Sequence, residues 1–299
     1  MRRFAETVKS EIDQSRVVYV EYSNEVWNFI FEQAHWAGQQ AEKLWGETGD
    51  GWVQFYGYKA ASAMKIWTDV YAEDAEARLN RVVSVHTGWP ELEQSILLGD
   101  RAQAALGFAP VQMFDSYAVT GYFAGELGQP GTLDTAFKTS LSKAETDGRA
   151  KGLSRVALRE YINEHRFDGM HQMAAEIVKT GSLRELTEET WPYHARVASR
   201  HGLEFIMYEG GTHATPTFDS VEDEQLVDFL ITFNYSPEMA DIYREALSAW
   251  GGLTDSPFNV FVDVAGPSKW GSWGALRHLS DDNPRWRVVD PAETSTTKN

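Results

Sequence analysis

Two stretches of this 299-residue chain carry an apolar run into a glutamate. Val17-Val18-Tyr19-Val20-Glu21-Tyr22 leads into Ser23-Asn24-Glu25, and Leu203-Glu204-Phe205-Ile206-Met207-Tyr208 leads into Glu209-Gly210-Gly211. A carboxyl group delivered by a rigid strand to the rim of a pocket, beside an amide (Asn24) and an indole (Trp27), suits acid–base work on a glycosidic oxygen. Two such carboxyls about 5–5.5 Å apart permit retaining hydrolysis, one protonating the leaving oxygen while the other attacks the anomeric carbon. The two need different surroundings. Burial or a neighbouring charge keeps the acid protonated, and hydrogen bonds to its oxygens keep the nucleophile ionised.

The elements that must position these residues follow from the apolar pattern. Strands are expected at 17–22, 81–86, 112–117, 203–208 and 258–264. Between them come helical tracts at 27–46 and 50–76, the latter with Trp52, Tyr56, Ala60, Ala63 and Trp67 at helical spacing, and further helices over 221–250. Residues 124–200 read as mostly polar helix punctuated by glycines, and Asp290 to Asn299 as a disordered tail. Strands that are nearly continuous apolar runs, alternating with helices, indicate a parallel sheet covered by helices. The expectation is an α/β fold: one partial barrel domain over 1–289, with a helical insertion at about 124–200 after the third strand, and a tail over 290–299. In a barrel the carboxyl ends of the strands share one face. That would gather Glu25 and Glu209 with His86 and Trp89, Tyr117 or Tyr122, and His213.

The pair Ser23-Asn24-Glu25 and Tyr208-Glu209-Gly210, each closing a strand, resembles the clan A glycoside hydrolases, the retaining (β/α)8-barrel enzymes that include many cellulases and related β-glycanases. The resemblance implies that Glu25 is the acid/base, Glu209 the nucleophile, and Asn24 a ligand of the sugar 2-hydroxyl. It also implies a tyrosine beside the nucleophile, for which Tyr122 and Tyr117 compete. A tryptophan sugar platform would be Trp270 or Trp273, within Ser268-Lys269-Trp270-Gly271-Ser272-Trp273-Gly274. In that family the Asn-Glu glutamate closes the fourth strand. The match therefore covers strands four to eight, an incomplete TIM barrel of roughly five βα units where a whole one has eight. Exposed edges at 17–22 and 258–264 would invite self-association into a homo-oligomer.

Composition narrows the alternatives. The chain has 27 basic against 44 acidic residues, a formal charge of −17 that disfavours nucleic acid and anionic membranes and leaves a neutral β-glycan or oligosaccharide as the fitting partner. With no cysteine there is no thiolate metal site or disulfide. The eight histidines lack any close ligand spacing, and no glycine-rich phosphate loop occurs, so neither metal nor other cofactor is expected. The start, Met1-Arg2-Arg3-Phe4-Ala5-Glu6, predicts no export signal and leaves the compartment undecided. The leading expectation is a cofactor-free retaining hydrolase of endo-β-glucanase type. The rival is a non-catalytic carbohydrate-binding or scaffold remnant of such an enzyme.

Overall fold

The computed structural model describes residues 1–46 and 49–290. Four strands form a sheet in the order β1-β2-β3-β4: β1 is Val18–Glu21, β2 Leu79–Ser84, β3 Ser116–Phe123 and β4 Glu204–Thr212. The pairings β1–β2 and β2–β3 are parallel, with Val20 opposite Arg81 and Val83 opposite Tyr117. Glu204 N–H donates to the Asp115 carbonyl and His213 N–H to that of Phe123, so β4 also runs in the direction of β3. Helices follow β1, β2 and β3, the arrangement that parallel pairing requires.

Two expected strands need correction. The third does not occupy 112–117: Pro110–Met113 is a 3-10 turn, opened by a proline whose fixed φ suits that position, and the strand runs over Ser116–Phe123. The segment 258–264 is extended chain without a strand ladder, joined to β4 by a single bridge between Gly210 and Val260. Backbone bonds also go to a neighbouring loop: Val262 N–H to the Trp273 carbonyl, and Ala275 N–H to that of Val262. Four strands rather than five therefore make up the sheet among the described residues. The predicted tail lies outside the described residues from 291 on.

The chain divides into two compact units. The first comprises Met1–Thr120, Thr190–Tyr208 and Thr254–Pro257; the second comprises Gly121–Glu189, Glu209–Leu253 and the stretch from Phe258 on. β3 and β4 each begin in the first unit and end in the second. In the first unit, the long helix Gly51–Tyr71 buries Phe55, Tyr56, Ala60, Met64 and Trp67, and the strands contribute Val82, Val83, Tyr117 and Val119 to the buried core. Tyr56 both donates to the Ser84 carbonyl at 3.2 Å and accepts from Ser84 N–H at 3.3 Å. The second unit is mainly helical, with helices at Asp134–Ala150, Met170–Thr180, Glu224–Asn234 and Pro237–Gly251. Its core is aromatic: Phe229 meets Phe137 at 5.6 Å, Phe167 at 5.4 Å and Phe233 at 5.9 Å, and Phe123 meets Tyr243 at 5.2 Å.

One close approach is decisive for the first unit. A Cβ added to Gly57 would lie 2.1 Å from the Ile96 carbonyl oxygen, so the helix Gly51–Tyr71 reaches the helix Leu92–Leu98 only because this position has no side chain. Backbone cannot yield as a flexible side chain can. Gly57→Ala is expected to cost about 3 kcal/mol or more, a fall of roughly 6 °C in Tm for a chain of this size. Calorimetry or a thermal circular-dichroism melt measures it, and an unchanged Tm would mean that the two helices do not touch there.

Candidate active site

After β1 the first unit makes a tight turn. Ser23 (φ 67°) and Glu25 (φ 38°) both take left-handed backbone, which costs a non-glycine residue about 1–3 kcal/mol and persists only where surrounding contacts enforce it. Those contacts are Asn28 N–H to the Glu25 carbonyl at 2.9 Å, Phe31 N–H to the Asn28 carbonyl at 3.0 Å, and Gln33 Nε2 to the Asn24 carbonyl at 2.6 Å. The expected helix therefore starts later, at Glu32. The Glu25 carboxylate is oriented on both oxygens: the Tyr208 hydroxyl donates to Oε1 at 3.0 Å and Asn28 Nδ2 to Oε2 at 2.9 Å. Trp27 is buried against Tyr56 at 5.8 Å and Tyr208 at 6.5 Å, which makes it a support for the Tyr208 ring and not a surface platform. Asn24 is exposed.

His86 lies just beyond β2, with Nδ1 buried and without a hydrogen-bond partner. Burial pushes its pKa below the ordinary value, against the pull of the Glu25 charge. Trp89, 51% exposed, stands 6.2 Å from its ring. The loop carrying both is pinned through Thr87. Thr120 donates to Thr87 Oγ1 from its N–H at 2.7 Å and its hydroxyl at 2.8 Å, and His194 Nε2 donates to the Thr87 carbonyl at 2.9 Å. Because that carbonyl can only accept, His194 carries its proton on Nε2 and takes the Tyr117 hydroxyl on Nδ1 at 2.6 Å. Tyr117 is wholly buried in this arrangement. It is thus corrected from pocket lining to a core residue supporting the loop, because it starts β3 instead of closing it.

In the second unit, the Tyr122 hydroxyl donates to Glu209 Oε1 at 2.9 Å. The Tyr122 ring is boxed by His213 at 5.7 Å, Trp273 at 6.1 Å and Phe261 at 6.5 Å, and His213 meets Trp273 at 5.2 Å. Of the two competing tryptophans, Trp273 joins this cluster. Trp270 is 65% exposed and is faced by Lys269 at 5.1 Å, while its carbonyl accepts from Trp273 Nε1 at 3.0 Å.

Sequence reasoning missed Arg285. It is fully buried, stacks on Tyr235 at 4.6 Å, and donates to the carbonyls on either side of Trp273: Ser272 at 3.0 Å, and Gly274. A guanidinium has five donors in a fixed plane, so it can hold two carbonyls of one short stretch of backbone at once. Asn283 Nδ2 adds a bond to the Ala275 carbonyl at 2.9 Å. The only signal in the sequence was the helix start Asn283-Pro284, which says nothing of where the next residue's side chain is spent.

Burial pushes the pKa of His86 and His194 in the first unit, and of His171 and His213 in the second, below the ordinary 6.5. The unfolded chain therefore binds more protons than the folded one once the pH falls below about 6.5. The stability these residues contribute is whole above that pH and is lost as the pH falls from 6.5 through the lowered folded values. A Tm that drops between pH 7.5 and pH 5 is expected, with a shallower drop in His194→Gln. A flat profile over that interval would contradict these burials.

A groove of about 700 Å³ lies in the first unit at the amino ends of β1 and β2, lined by Tyr19, Asn80, Arg81 and Asp115 among others, and none of the predicted site residues lines it. Among the described residues no three His, Asp or Glu side chains gather as a metal set, and no helix is long and apolar enough to cross a membrane. Comparison with family models, curated proteins and solved structures returns no match, so the site stands on its own residues.

Proposed function

We propose that this protein is a retaining glycoside hydrolase acting on β-linked glycans, similar in design to the clan A enzymes, with Glu25 as acid/base and Glu209 as nucleophile. The observation that carries the reading is the treatment of the two carboxylates. Glu25 follows β1, whereas Glu209 lies within β4, which continues to Thr212 instead of closing at the glutamate as expected, and each is oriented by a tyrosine hydroxyl: Glu25 by Tyr208 and Glu209 by Tyr122. Hydrogen bonds to its oxygens hold a carboxyl group in place for attack or for proton transfer, the two tasks a retaining mechanism gives to its carboxyl pair. The left-handed backbone at Ser23 and Glu25 adds support, since strain of this kind concentrates at functional sites.

On this reading, Glu25 protonates the glycosidic oxygen while Glu209 attacks the anomeric carbon from the opposite face and becomes glycosylated. Glu25, now a carboxylate, then takes a proton from water as the water displaces Glu209. Tyr122 holds the attacking carboxylate in line, and Trp273, clamped by Arg285, supplies a sugar platform. His213, neutral at pH 7 through burial, and Asn24 and His86 supply hydrogen bonds to hydroxyls.

A 2-fluoro aryl β-glycoside tests the mechanism, because the fluorine slows breakdown of the glycosyl-enzyme more than its formation. Mass spectrometry of the digested protein is expected to find the added sugar on the peptide containing Glu209. Turnover without any covalent adduct, or with inverted product, would remove the retaining assignment. Glycan binding with no turnover would favour the carbohydrate-binding alternative.

A further inference from the structure

Every backbone carbonyl from Ser272 to Leu276, in the second unit, has a hydrogen-bond donor, and the donors come from two sides. The extended segment before the loop takes two of them: the Trp273 carbonyl accepts Val262 N–H at 3.0 Å, and that of Leu276 accepts Ala265 N–H at 3.1 Å. That segment is itself joined to β4 by a single bridge. The other three carbonyls go to the start of one short helix, Pro284–Val289. Arg285 Nη1 donates to the Ser272 carbonyl at 3.0 Å and Nη2 to that of Gly274, while Asn283, which caps the helix, donates from Nδ2 to that of Ala275 at 2.9 Å. The Tyr235 hydroxyl adds a bond to the Gly274 carbonyl at 3.3 Å, and its ring carries the Arg285 guanidinium.

A wholly buried guanidinium is a costly way to fill space. The carboxylates nearby in the chain, Asp281 and Asp282, are paired with Arg277 and Arg287, and Arg285 Nε has no acceptor among the described residues. An apolar side chain of similar volume would avoid that cost, so the reason for a cation here lies in what its donors hold. Between the two carbonyls that Arg285 holds stands Trp273. Its indole Nε1 donates to the Trp270 carbonyl at 3.0 Å, and its ring meets His213 at 5.2 Å, Phe261 at 6.0 Å and Tyr122 at 6.1 Å. The Tyr122 hydroxyl in turn donates to Glu209 Oε1 at 2.9 Å. Contacts therefore run without a gap from the guanidinium, through the loop backbone and the indole, to the phenol that orients the carboxylate.

We infer that Arg285, together with Asn283, is a positioning residue: it fixes the Trp273 ring against Tyr122 and so sets the direction in which Glu209 presents its carboxylate. The planar fork accounts for the choice of residue, since an ammonium at the same place has no fixed pair of donors. The effect on rate rests on Glu209 being the nucleophile; the hold on Trp273 does not.

The test uses the full chain labelled with fluorotryptophan and read by fluorine NMR, the resonance of Trp273 being identified by its loss in Trp273→Phe. In Arg285→Lys that resonance is expected to move or broaden, while those of Trp27, Trp52 and Trp67 in the first unit stay in place. Asn283→Ser keeps a residue that can cap the helix and loses the bond to the Ala275 carbonyl, so it should move the same resonance by less. A Trp273 resonance unmoved in folded Arg285→Lys would overturn the inference, and Asn283→Ser decides in the same way if the lysine variant does not fold. The link to Glu209 is read from covalent labelling by dinitrophenyl 2-fluoro-β-glucoside and the matching xyloside, whose leaving group needs no proton. In Arg285→Lys the saturating rate of labelling should fall roughly tenfold or more, because a displaced nucleophile is out of line for attack. A saturating rate within twofold of the parent, with the loss confined to the half-saturating concentration, would overturn that link. Wild-type protein that is labelled by neither compound and hydrolyses no aryl β-glycoside, with a Trp273 resonance that still moves in Arg285→Lys, would sink the hydrolase reading and uphold the hold on Trp273. Labelling and hydrolysis by wild type with an unmoved resonance would do the reverse.

Discussion

Glu209→Ala is expected to lower the turnover of an activated aryl β-glycoside by roughly 10⁴-fold or more. The reason is the chemistry of the rings around Tyr122. In the second unit Glu209 Oε1 accepts from Tyr122, and the groups that box that tyrosine are an imidazole, an indole and a phenyl ring. None of them can form and then release a bond to an anomeric carbon at neutral pH. An activated leaving group removes the need for protonation but not the need for a nucleophile, so this substrate isolates the role of Glu209. The stability change should stay near 1 kcal/mol, since a half-buried strand residue is being shortened without opening a closed core. A small anion such as azide, admitted to the space left by the carboxylate, should restore part of the rate and give a glycosyl azide of inverted configuration. Near wild-type rate in Glu209→Ala, with the fold intact by circular dichroism, would end the assignment.

How much of this was legible in the sequence depends on where each side chain's partner lies. β1, β2 and β4 could be read from their runs of apolar residues, and the glutamates because each follows such a run in the sequence, although Glu209 lies inside β4. β3 was obscured by Thr120 and Gly121 within it, while Met113 and Phe114 ahead of it mimic a strand although they end and cap the proline-opened turn. The segment 258–264 has the pattern of a strand, but a ladder needs a neighbour, and here Val262 and Asp263 pair with the loop at 273–276. His194 lies in a helical stretch that reads as polar surface, yet its two nitrogens are spent on Tyr117 and Thr87, which are 77 and 107 residues away in the chain. Arg285 was invisible for the same reason: a buried cation is stabilised by particular carbonyls, and carbonyls have no signature in a sequence. Local pattern thus reaches the candidate carboxylates, while the residues that hold them in place are fixed by long-range pairing.

Glu25→Ala should divide its effect by leaving group, and that division identifies an acid/base more surely than any overall loss. On an unactivated glycan the departing oxygen is a poor leaving group unless it is protonated as the bond breaks, so loss of the acid should cost roughly 10²–10⁴-fold in kcat/KM. On a dinitrophenyl glycoside the departing phenolate needs no proton, and the first step should proceed at nearly the parent rate. Release of the sugar from Glu209 still needs a base to activate water, so the glycosyl-enzyme should accumulate, visible as a burst of phenolate followed by slow turnover and a lowered KM. A structural role makes a different prediction. Removing Glu25 also strands the Tyr208 hydroxyl and the Asn28 amide that now donate to it, and a mere loosening of the turn would depress both substrates alike. Glu25→Gln separates the two further, because an amide keeps an acceptor for Tyr208 but can neither give nor take the proton. Equal losses on both substrates in Glu25→Gln, without a burst, would assign Glu25 to the scaffold of its turn and leave the protonation to another group.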